Sequence, residues 1–111
     1  MKASEFIERL EYLIKQYGDL NLSDCFDYVI GFIYHYEIWD KGTRYEEKFE
    51  SFIVLFDVKP PKPPIKSSEI CTQLKEFMEK YGDLIVCFQD DCPIVNIMYS
   101  RLENDFYLTA I

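Results

Sequence analysis

Apolar residues recur every three or four positions along residues 1–20 and again along residues 65–84. Phe6, Leu10, Leu13, Ile14 and Tyr17 make the first stripe, and Ile70, Leu74, Phe77, Met78 and Tyr81 the second. Such steps place the side chains on one face of a helix, so two amphipathic helices are predicted. After each helix the period changes. Runs rich in β-branched and aromatic residues cover Leu22–Phe26, Tyr28–Trp39 and Phe49–Val58, then Ile85–Gln89, Ile94–Leu102 and Phe106–Ala110. This content favours strands. Lys41-Gly42-Thr43 and Glu103-Asn104-Asp105 read as turns, the latter suited to a tight hairpin.

The two helical stretches are also alike residue by residue. At an offset of 64, Lys2, Ser4, Glu5, Leu10, Tyr17, Gly18, Asp19 and Leu20 match Lys66, Ser68, Glu69, Leu74, Tyr81, Gly82, Asp83 and Leu84. Internal repetition of this kind marks a duplicated unit. Ser4 and Ser68 are placed to accept from free N–H groups at the helix starts. A full capping box is not expected, because Ile7 and Cys71 stand three residues on. Gly18 and Gly82 end the helices, and Asp19 and Asp83 read as turn residues. Lys59-Pro60-Pro61-Lys62-Pro63-Pro64 is an extended connector. The expected architecture is α+β, with two tandem αβββ units, each an amphipathic helix packed on a three-stranded antiparallel sheet. Residues 1–58 form the first unit, 59–64 the connector and 65–111 the second unit.

The strands carry more apolar surface than one-sided cover explains. Tyr28–Trp39 shows Tyr28, Ile30, Phe32, Tyr34, Tyr36 and Ile38 on one face, yet Val29, Ile33 and Trp39 on the other. A half-covered antiparallel sheet should alternate more cleanly. The other repeat, a second copy of the chain or a partner protein must cover the second face. Tyr34, Tyr36, Trp39 and Tyr45 are large side chains with polar tips, the residue types that anchor interfaces. Glu46, Glu47 and Glu50 lie beside them and suit a basic partner surface.

Charge sharpens this reading. The chain of 111 residues has 12 Lys plus Arg against 20 Asp plus Glu, a net charge of −8. Residues 1–58 hold 12 of the acids and 6 of the bases, so the acidity concentrates there. Direct binding of nucleic acid needs a basic face, which this balance opposes. Aromatic content of 17% and hydrophobic content of 49% exclude a disordered acidic tail. No apolar run is long enough for a membrane span, and the charged start does not resemble a signal peptide.

Cys25, Cys71, Cys87 and Cys92 form no C-x-x-C pair, and the single His35 is remote from them in sequence, so no metal or cofactor is expected. Reduced structural thiols are expected. His35 has no adjoining nucleophile motif, and the carboxylate pairs Asp90-Asp91 and Asp24/Asp27 read as solvated loop acids. Phosphate-binding and zinc-protease motifs are absent, and an enzyme is not expected.

The helix-and-turn pattern K-S-S-E-I…L…F-M-E-K-Y-G-D-L, followed by a strand, resembles small phage and prophage proteins with a short αβββ unit. Residues 65–111 carry the resemblance best, and residues 1–58 form a longer, divergent copy. The resemblance implies a mobile-element origin, where small acidic proteins act as inhibitors of bacterial defence, anti-CRISPR proteins among them. It transfers no catalytic residue. It implies a non-enzymatic protein of the bacterial host's cytoplasm, whose partner is a host protein with a basic nucleic-acid-binding surface. Two other classes remain open: a binder or sponge of a small ligand such as a signalling nucleotide, and a self-associating virion assembly protein.

Overall fold

The computed structural model describes residues 1–23, 29–40, 47–57, 65–88 and 92–110. Both predicted helices are present, as α1 (Ala3–Tyr17) and α2 (Ser67–Tyr81). Each buries its apolar stripe, with Phe6, Ile7, Leu10 and Leu13 on α1 and Ile70, Cys71 and Leu74 on α2. The helices start two residues earlier than the serines suggested. Lys2 and Lys66 are the extended N-cap residues, and Ser4 and Ser68 fall inside the first turn. Counted from Lys2, Glu5 is the third helical residue, and its Oε1 accepts the Lys2 N–H at 3.2 Å. Half of a capping box therefore forms where none was expected. Both helices stop at a glycine with positive φ, 97° at Gly18 and 93° at Gly82. Their N–H groups donate back to the carbonyls of Ile14 and Met78.

Six strands follow the predicted segments: β1 (Leu22–Ser23), β2 (Val29–Asp40), β3 (Glu47–Asp57), β4 (Ile85–Phe88), β5 (Asn96–Ser100) and β6 (Asp105–Thr109). The tight turn before β6 has Asn104 at a φ of 51°, the left-handed conformation that asparagine tolerates. In β2 the register slips between Ile30 and Phe32, so strict alternation does not run through Gly31. The fold is α+β, but the strands do not form two separate antiparallel sheets. They make a mixed sheet in the order β4-β3-β2-β1-β6-β5. The hairpin β2–β3 takes β4 as a parallel neighbour, and the hairpin β5–β6 takes β1 as a parallel neighbour. Among the described residues these two three-stranded layers meet through the pair Ser23↔Val29. A bridge between Cys87 and Pro93 links the outer strand β4 to the approach to β5. Each layer thus combines a hairpin from one half of the chain with a strand from the other. A parallel pair needs a long crossover, and α2 supplies it between β3 and β4.

Contacts recur at the spacing of 64. Ala3 N–H donates to the Leu84 carbonyl and Ser67 N–H to the Leu20 carbonyl. Ser4 N–H donates to Asp83 Oδ1 at 2.8 Å, and Ser68 N–H to Asp19 Oδ1 at 2.8 Å. The serine hydroxyls donate to the second oxygen of the same carboxylates. The turn aspartates are therefore the real helix caps, each serving the helix of the opposite half. Where α1 meets α2, Glu11 faces Lys75, its own counterpart in the sequence match, at 2.6 Å. Two identical residues would repel there; the two positions instead carry opposite charges.

The core lies between the helices and the inner face of the strands, where Phe6, Leu10, Leu22, Phe52, Ile70, Leu74, Ile97, Phe106 and Leu108 are fully buried. Ile53 and Cys87, paired across β3 and β4, are also buried although Ile53 alternates with Phe52 and Val54. At this point the second face is covered within the chain itself. No helix among the described residues is long and apolar enough to cross a membrane. The connector at 59–64 lies outside the described residues.

Candidate functional site

The two hairpins start alike and finish differently. In β5–β6 the pair Ser100↔Asp105 is the last, and residues 101–104 close the turn. The matching pair in β2–β3 is Tyr36↔Ser51, and there the ladder continues. Glu37↔Glu50, Ile38↔Phe49, Trp39↔Lys48 and Asp40↔Glu47 extend it by four more pairs. Strands of 12 and 11 residues replace strands of 5 and 5. At about 3.3 Å per residue, β2 alone spans roughly 40 Å, and the molecule measures 51 × 27 × 26 Å. We call residues 37–50 the arm.

Of the seven interface residues predicted from the sequence, Trp39, Tyr45, Glu46, Glu47 and Glu50 belong to the arm, and Tyr34 and Tyr36 to its root. Tyr45 and Glu46 lie outside the described residues, as do the acids Asp24, Asp27, Asp90 and Asp91. Trp39 and Glu47 are known by register, opposite Lys48 and Asp40. Tyr34 and Tyr36 are half-buried and pair with Ile53 and Ser51. Glu50 pairs with Glu37, on the face that His35 and Phe52 share. Alternation therefore puts the two tyrosines on one face of the hairpin and Glu50 on the other. Tyr34 and Tyr36 therefore share no flat face with Glu50; a partner meeting both sets must grip the hairpin's edge or straddle it.

The face that holds Glu50 also holds His35. The imidazole stacks on Tyr81 of α2 at 3.8 Å and 8°, and meets Phe52 edge-on at 6.3 Å. The other half repeats this geometry with tyrosine, since Tyr99 stacks on Tyr17 at 3.8 Å and 6° and meets Phe106 at 6.3 Å. The ends of the two rings differ. Tyr99 Oη donates to Asn104 Oδ1 at 3.1 Å. His35 Nε2 is buried without a hydrogen-bond partner among the described residues, and Glu50 Oε2 is 4.0 Å from it. That separation is too long for a hydrogen bond. A buried polar atom left unsatisfied costs about 1–3 kcal/mol. Glu37 and Glu50 stand directly opposite each other in the ladder. The donor atoms of His35, Glu37 and Glu50 all lie within 4.8 Å of one another.

Sequence reasoning passed over this grouping. His35 and Glu37, two apart on a strand, were a legible same-face pair; Glu50 joins them only through the β2–β3 register. Cys71, Cys87 and Cys92 form no disulfide among the described residues, and burial, with Glu11 adding to it, pushes the Cys71 thiol up to about 11. Such a thiol is inert at neutral pH. Compared with known proteins, the chain matches no family model, no curated protein and no solved structure.

Proposed function

We propose that this is a non-enzymatic binding protein of phage type, descended from a duplicated αβββ unit. In this reading the body is a scaffold and the arm binds a host protein. The observation that carries the reading is the asymmetry between the hairpins. The extension past Tyr36↔Ser51, residues 37–50 against 101–104 in the corresponding hairpin, adds nothing that the shorter hairpin needs in order to fold, and it carries five of the seven interface candidates. It holds five acids, Glu37, Asp40, Glu46, Glu47 and Glu50, with Trp39 and Tyr45 between them. Carboxylates interleaved with aromatic anchors suit a basic surface, the sort that grips nucleic acid. The fuller reading is an inhibitor of a bacterial defence complex, CRISPR-like, which loses its nucleic acid when the arm occupies the basic site. It places the activity in the host cytoplasm.

The test is capture of partners from nuclease-treated host lysate by the purified chain, beside a Glu46→Lys/Glu47→Lys variant and a Tyr34→Ala variant. The expected result is one nucleic-acid-binding complex, released by added polyanion and lost with the charge reversal. Undiminished capture by the reversed variant would refute the acidic arm as the contact.

A further inference from the structure

We propose that His35, Glu37 and Glu50 form a binding site for one divalent transition-metal ion, zinc in the first instance, at the root of the arm. The argument begins with the donors. An imidazole nitrogen and two carboxylates are a ligand set for zinc and its first-row neighbours, whereas calcium and magnesium sites are built from oxygen alone. Three atoms within 4.8 Å of one another have a common point no more than about 2.8 Å from each. Closing to the 2.0–2.2 Å of zinc bonds needs each donor to move by about 0.7 Å, which side-chain torsions of two glutamates supply.

The surroundings point the same way. His35 Nε2 is out of solvent and has no hydrogen-bond partner among the described residues, so no other bond there competes with a metal ion for it. Stacking on Tyr81 fixes the ring plane and edge-on contact with Phe52 limits its rotation. Glu37 and Glu50 are held directly opposite by the ladder, so both carboxylates stand on the side of the hairpin that bears His35. The other half of the chain supplies an internal control. There the same stack ends in Tyr99 bonded to Asn104, a closed neutral pair with Arg101 where Glu37 would stand. Among the described residues such a donor group occurs in the half that bears the arm. Three protein ligands leave one tetrahedral position for water, or for a donor from whatever the arm touches. This inference stands on the cluster and holds whether or not the partner reading is right.

The experiment is titration of the metal-free protein with Zn2+ by calorimetry and with Co2+ by absorption spectroscopy, alongside His35→Tyr. That substitution copies the Tyr99 arrangement, so the stack is kept and the ligand lost. Glu37→Gln, on an exposed side chain, serves as a second variant. The expected result is one ion per chain, a cobalt spectrum without thiolate charge-transfer bands, and an affinity about 100-fold or more weaker in His35→Tyr. The metal-free variant should melt like the parent. Retained binding in His35→Tyr, thiolate bands, or no stoichiometric uptake would each overturn the assignment.

Discussion

Removing the Asp83 carboxylate should expose how far the two halves depend on each other. Asp83 ends the turn after α2, yet its oxygens accept the backbone N–H and hydroxyl of Ser4 in the first turn of α1. In Asp83→Ala one free N–H of α1 loses its cap, a loss worth about 1 kcal/mol within a range of about 0.5–2. A negative charge also leaves the positive end of the helix, worth about 0.3–1 kcal/mol at an exposed site. The sum is about 1–2 kcal/mol. For a domain of this size that corresponds to a fall in Tm of roughly 5–10 °C. Urea unfolding at pH 7 would measure it, with the slope unchanged if the folded state keeps its compactness. The pH dependence gives a second reading. Bonds from the Ser4 hydroxyl and then its N–H hold the Asp83 carboxyl below its ordinary value of 3.8. The stabilisation is therefore present above about pH 4 and disappears as pH falls through the lowered folded value. A parent-to-variant difference near zero at pH 7, or one that persists in strong acid, would refute the cross-half cap.

Phe52 and Phe106, both fully buried at matching points of the two layers, should each cost about 3–5 kcal/mol when changed to Ala, measured by denaturant unfolding. Gly82→Ala meets no atom within 4 Å of the new methyl, so its cost is backbone strain alone, about 1–3 kcal/mol by the same assay. Cys71, with its thiol pushed up to about 11, should resist alkylation at pH 8 in the native protein and react only on unfolding, as read by peptide mass mapping.

The local elements were legible because their signals are local. The stripes from Phe6 to Tyr17 and from Ile70 to Tyr81 gave both helices, and the glycines gave their ends. β-Branched and aromatic runs gave the six strands to within a few residues. Pairing was not legible, since nothing in Leu22–Ser23 or Ile85–Phe88 says which hairpin each will join. An αβββ unit can keep its first strand or exchange it, and the hydrophobic pattern is the same in both cases. The roles of Asp19 and Asp83 were hidden for the same reason, because the N–H groups they cap lie in the other half. At the candidate site the sequence offered the aromatic and acidic excess of residues 34–50. It did not supply the register that parts Tyr34 and Tyr36 from Glu50, or that brings Glu50 to His35.

The central claim is that the arm acts and the interlocked body only carries it. Its most direct test replaces residues 37–50 by the four residues Arg-Leu-Glu-Asn that close the shorter hairpin at 101–104. The body should then fold with a Tm near that of the parent, while protection of phage in a CRISPR-bearing host and capture of its defence complex are lost. A shortened chain that folds and still inhibits would contradict the account, and one that cannot fold would show the arm to be part of the scaffold.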